Sequence, residues 1–92
     1  MKLHHTIQIW QKGEWYIARC PELDFVSQGR SPTEAQKNLM EVMEIQFEEM
    51  SRMGTLTEYL DECGYQLRED TAVPLTEMIG FQKFSTQFSV HA

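Results

Sequence analysis

Ninety-two residues make one domain, 1–92, since a division into two cores would leave each near the size where small folds need disulfides or metals. Hydrophobic residues make up 41% and charged residues 24%, which excludes a disordered acidic tail. Fourteen acids against eight Lys and Arg give a net charge of −6, which argues against gripping nucleic-acid phosphates and for a basic partner.

In chain order, Leu3, His5, Ile7 and Ile9 alternate with His4, Thr6, Gln8 and Trp10, so period two predicts a strand over residues 3–10. Gln11-Lys12-Gly13-Glu14 then reads as a hairpin turn, with a glycine free to take positive φ. Residues 15–20 return as a second strand, which Pro21 should end for want of a backbone N–H. A short third strand follows at residues 25–28, closed by Gly29.

Ser31-Pro32-Thr33-Glu34 is the strongest local signal: an N-cap serine, proline at the first helical position and glutamate at the third, a capping box. A helix is predicted over about residues 32–52, with Ala35, Leu39, Met40, Val42, Met43, Phe47 and Met50 forming its apolar stripe. The far methionines, Met50 and Met53, are expected to be its most exposed apolar side chains. Glu34, Lys37, Glu41, Glu44, Glu48 and Glu49 form its polar face. Gly54 should stop this helix, and a shorter one capped by Thr55 or Thr57 should end at Gly64. Residues 65–77 give no clear pattern, and Pro74 speaks against a long central strand there. Phe84, Thr86, Phe88 and Val90 alternate within residues 81–90, which predicts a last strand that returns to the sheet or pairs with a second copy. The expected class is α+β, in the order β-β-β-α-α-β: an antiparallel three-stranded sheet, a long helix, a short helix and a C-terminal strand.

No stretch reaches the roughly 18 apolar residues of a membrane helix, and the first ten residues lack the apolar region of a secretory leader. Cys20 and Cys63 fit neither a redox pair nor a zinc framework; their spacing leaves a structural disulfide open, and reduced thiols in the cytoplasm are the plainer expectation. His4 and His5 point to opposite faces of a strand, and His91 stands far along the chain, so no metal or other cofactor is expected. Cys20, ahead of a proline at a strand end, reads as an inert half-buried thiol. A Mg2+ site for nuclease chemistry would draw on Asp24 with Glu41 or Glu44, but those glutamates lie on the helix's polar face. From Glu34 to Asp70, ten acids stand against Lys37, Arg52 and Arg68, net −7, while the remainder nets +1.

Across residues 15–23, then Ser27-Gln28-Gly29-Arg30-Ser31, then Glu34-Ala35 and Leu39, the chain resembles the HicB-like antitoxin family. The shared pattern is an aromatic-x-Ala strand, a Pro-Glu-Leu corner, a Ser-x-Gly turn and a Ser-x-x-Glu-Ala helix start, covering about residues 3–50. The resemblance implies a degraded RNase H-like domain without the nuclease's acidic site, assembled as a dimer or higher oligomer. It implies a non-enzymatic protein that binds and neutralises a small basic HicA-type ribonuclease toxin. Many members also carry a C-terminal segment that binds operator DNA. Here Arg68 and Lys83 are the only bases after Gly64, so a solitary member without direct nucleic-acid binding is expected. The partner surface expected is Glu22 and Asp24 at the sheet corner with Glu41, Glu44, Glu48 and Glu49 on the helix. Phe84 and Phe88 mark the strand expected to join copies. Two other readings stand beside this one: a structural oligomer, and a metal-dependent nuclease on an RNase H-like frame.

Overall fold

A strand needs a neighbour for its backbone N–H and C=O groups, and that requirement decides which of the expected strands form. The computed structural model describes residues 1–91. In order it contains β1 (Lys2–Leu3), β2 (Gln8–Lys12), β3 (Trp15–Cys20), β4 (Phe25–Gly29), α1 (Pro32–Met53), α2 (Leu56–Glu62), β5 (Tyr65–Arg68) and β6 (Thr71–Pro74). The fold is α+β with two small sheets: β2-β3-β4, antiparallel, and β1-β6-β5, in which β1 runs parallel to β6.

The hairpin between β2 and β3 closes through Gly13 and Glu14, with Gly13 at φ 62° as its turn requires. The register places Ile9, Ala18 and Ser27 side by side on one face, as it does Gln11, Tyr16 and Gly29. Cys20 and Phe25 share that face, and α1 lies across it. Ala18, Cys20, Leu23, Ala35, Leu39, Met43, Leu60, Tyr65 and Ala72 form one buried core that links both sheets to both helices. Phe25 extends it edge-on to Phe47, with ring centroids 5.8 Å apart.

Helix α1 begins as its sequence dictates. Ser31 Oγ accepts the Glu34 N–H at 3.0 Å, and Pro32 occupies the first turn. Among the described residues only this half of the capping box is formed. At the other end Gly54 takes φ 74° and the Thr55 N–H reaches back to the Met50 carbonyl at 2.9 Å. Thr55 holds the N-cap position of α2, but its hydroxyl turns to Met50 and does not cap.

Four expectations are corrected. The strand over residues 3–10 is divided: β1 and β2 belong to different sheets, and residues 4–7 bridge them. The break falls where the Thr6 N–H and hydroxyl donate to Glu22 instead of to a neighbouring strand. The strand over residues 81–90 does not return to either sheet, and residues 76–91 form no helix or strand. In its place the patternless stretch supplies β5 and β6, with Pro74 at the end of β6, beyond the two residues that pair with β1, so that its missing N–H costs no ladder bond. Finally, Met40 and Val42 are exposed rather than part of the buried stripe, while Met50 is half-buried and Met53 exposed.

Gly29 ends β4 against the start of α1, where an added Cβ would stand 2.6 Å from the Ala35 backbone nitrogen and 2.9 Å from the Glu34 carbonyl carbon. Backbone cannot yield as a flexible side chain can. Gly29→Ala is therefore expected to cost about 1–3 kcal/mol in a urea unfolding titration.

Candidate interaction surface

The corner between β3 and β4 gathers the side-chain hydrogen bonds that hold the two sheets together. Glu22 accepts the Thr6 N–H on Oε1 at 3.0 Å and the Thr6 hydroxyl on Oε2 at 2.6 Å, and the Cys20 thiol lies 3.7 Å from Oε1. The Tyr59 hydroxyl donates to the Leu23 carbonyl at 2.7 Å, tying α2 to the same corner. The Tyr65 hydroxyl donates to the His4 carbonyl at 2.8 Å, tying β5 to the bridge between β1 and β2. Asp24, with φ 58°, supplies the left-handed turn into β4, a conformation that Asp accommodates better than most residues.

These contacts set the local acid–base chemistry. Burial disfavours the Glu22 carboxylate, but the two Thr6 donors and other hydrogen bonds outweigh it and hold the carboxyl below its usual range. Burial, with the Glu22 charge beside it, pushes the Cys20 thiol up to about 11, so it stays protonated near neutrality. Burial likewise raises Tyr59 to about 12, with Cys63 and Asp24 adding to the effect. None of these is a group poised for proton transfer near pH 7.

The six expected partner-binding acids are not brought to one place. Glu22 is occupied by Thr6, so it serves the fold before it can serve a partner. Asp24 is exposed at the corner, whereas Glu41, Glu44, Glu48 and Glu49 are exposed on α1. Glu49 pairs with Arg52 one turn on. Among the described residues, no three His, Cys, Asp or Glu side chains group as metal ligands would. No helix among those residues is long and apolar enough to cross a membrane.

Two features escape the reading of charges alone. Ile45 is 63% exposed on α1, and its helical neighbours at three and four residues are Glu41, Val42, Glu48 and Glu49. Helical spacing from the buried Leu39 and Met43 would have placed Ile45 away from the core. The second feature is the outer face of the β2-β3-β4 sheet, where Trp10, Ile17, Trp15 and Val26 stand with Lys12 and Arg19, and these strands contain no acid. The Arg30 guanidinium stacks 4.1 Å from the Trp15 ring centre and also reaches Glu14 at 3.4 Å. Period two assigns those residues a common face, but only the position of α1 shows which face stays uncovered.

The Glu22 contacts yield a pH-dependent stability of definite sign. A carboxyl whose folded pKa is depressed contributes fully above its unfolded pKa, about 4.3, and loses that contribution as pH falls through the folded value. Glu22→Gln should cost about 1–3 kcal/mol at pH 7, and the penalty should shrink on acidification below about pH 4. Urea titrations at pH 7 and pH 3 check this, and an equal penalty at both values would exclude the charged carboxylate as its source. Neither any family model, nor any curated protein, nor any solved structure matches this chain.

Proposed function

We propose that this chain is a non-enzymatic protein-interaction module of the HicB-like antitoxin kind, a degraded RNase H-like unit that binds and neutralises a small basic ribonuclease toxin of HicA type. The observation that carries the reading is the outer face of α1, an exposed Val42–Ile45 pair flanked by Glu41, Glu48 and Glu49. An apolar centre with a like-charged rim suits a cationic protein: the rim steers the encounter and the centre supplies the contact that desolvates. The surrounding segment supports the same choice, since residues 34–70 carry net −7.

The motif residues behind the family resemblance have scaffold roles consistent with it. Gly29 and Ala35 permit close approach of sheet and helix, Ser31 starts the helix, and Glu22 and Leu23 secure the corner. They turn the Ala35–Leu39–Met43 stripe inward and leave the glutamates in solvent. Of the expected acids, Glu41 and Glu48 therefore carry the most weight, while Glu49 flanks the pair but is engaged by Arg52, Glu44 lies at the margin of the surface and Asp24 apart from it.

A HicA-type toxin presented to the purified chain should bind with an affinity that falls as ionic strength rises. Ile45→Asp, or Glu41→Lys with Glu48→Lys, should weaken it at least about tenfold, which corresponds to about 1.4 kcal/mol. Titration calorimetry at low and high salt reads both effects. Binding that ignores salt and both variants would refute this surface.

A further inference from the structure

Both tryptophans of the chain, Trp10 and Trp15, stand on the outer face of the β2-β3-β4 sheet, 56% and 38% exposed. The strand pairing makes them diagonal neighbours, about 7–8 Å apart. The half-buried Ile17 lies beside both rings, and Val26 on β4 is exposed. An uncovered face of an antiparallel sheet ordinarily carries polar residues, and large rings left in water there mark a place of contact.

The charge of this face has one sign. Lys12, Arg19 and Arg30 border the rings and are exposed, while Glu14, Glu22 and Asp24 sit in the turns at the two ends of β3. Among the described residues, Lys12 and Arg19 make no ion pair. The net charge of −6 belongs elsewhere, since residues 34–70 carry net −7. The exposed glutamates of α1 lie beyond a helix about 10–12 Å thick, past the roughly 8–10 Å over which charge acts at physiological salt. A total over the whole chain thus conceals a cationic, aromatic face.

We propose that this face binds a short stretch of unpaired RNA. Aromatic planes set among cations match an exposed base and its flanking phosphates, and a ring stacks on a base whatever its identity. The Trp15 ring already takes a planar cation, the Arg30 guanidinium, 4.1 Å from its centre. Trp10 has no such cover and receives a base, with Lys12 and Arg19 on opposite sides of it along the strands to meet phosphates. A duplex does not fit, because its bases are stacked within and a flat face enters neither groove. An acidic protein would meet the cations but give the rings no planar partner. For this face, the local arrangement replaces the expectation of no direct nucleic-acid binding, which followed from whole-chain charge and the scarcity of bases after Gly64. The site lies across the sheet from α1, apart from the proposed toxin surface.

Because both tryptophans stand here, intrinsic fluorescence reports the contact directly. A single-stranded RNA of about 12 nucleotides and mixed sequence should quench it at low salt. With two or three phosphates engaged, the affinity read from the anisotropy of labelled RNA should fall roughly 7- to 20-fold between about 50 and 200 mM salt. Trp10→Ala should weaken binding at least about fivefold, and Arg19→Gln should lower the salt dependence by about one phosphate, both with unchanged far-ultraviolet circular dichroism. Ile45→Asp should leave RNA binding intact, so this face and the toxin surface fail separately. Absence of binding at about 50 mM salt overturns the proposal, as does binding that survives Trp10→Ala combined with Arg19→Gln. Duplex RNA held as tightly as the single strand overturns it equally. Poly-glutamate that quenches as strongly as RNA would mark a face for acidic proteins, and tighter binding of single-stranded DNA would assign it to DNA; each result overturns the choice of RNA.

Discussion

The close seating of α1 on β3 and β4 is the contact on which the rest of this structure depends. Ala35, Leu39 and Met43 are buried against a sheet face that includes Ala18 and Cys20, and Gly29 lets the helix start next to the strand before it. A small sheet with one apolar face gains most of its stability when that face is covered, and a 22-residue helix owes most of its own to the face that it buries. The same seating turns Glu41, Ile45 and Glu48 outward, so the fold and the proposed partner surface are two sides of one helix.

The corner at residues 20–24 does the second task, joining the β2-β3-β4 layer to α2 and to the smaller sheet. Thr6, Tyr59 and Tyr65 reach this corner or the adjoining bridge from segments distant in sequence. Glu22 shows how an acid counted as surface charge can be spent on structure: its oxygens are engaged by Thr6, and its charge helps keep the neighbouring thiol protonated. A count of acids therefore exceeds the number left free at the surface.

The distribution of what remains is uneven. The acids concentrate on the helices, the β2-β3-β4 strands contain none, and residues 81–90 carry a single charge, Lys83. Three regions of such different chemistry suit different kinds of contact.

Local signals were enough to read α1, its serine and glycine ends, the Gly13 hairpin and β4, because capping, turn chemistry and period act within a few residues. The sequence by itself thereby determined the α+β class and the order of β2, β3, β4 and the two helices. Only the tertiary structure decided that residues 3–10 divide at Thr6, that β1 pairs in parallel with β6, and that residues 65–74 form a hairpin while 81–90 do not join either sheet. It also decided that Met40 and Val42 are exposed and that Ile45 stands among glutamates. The reason is that alternation states only that a segment has two faces. Which neighbour satisfies its backbone, and which face is covered, is settled by contacts between residues as far apart as Tyr65 and His4.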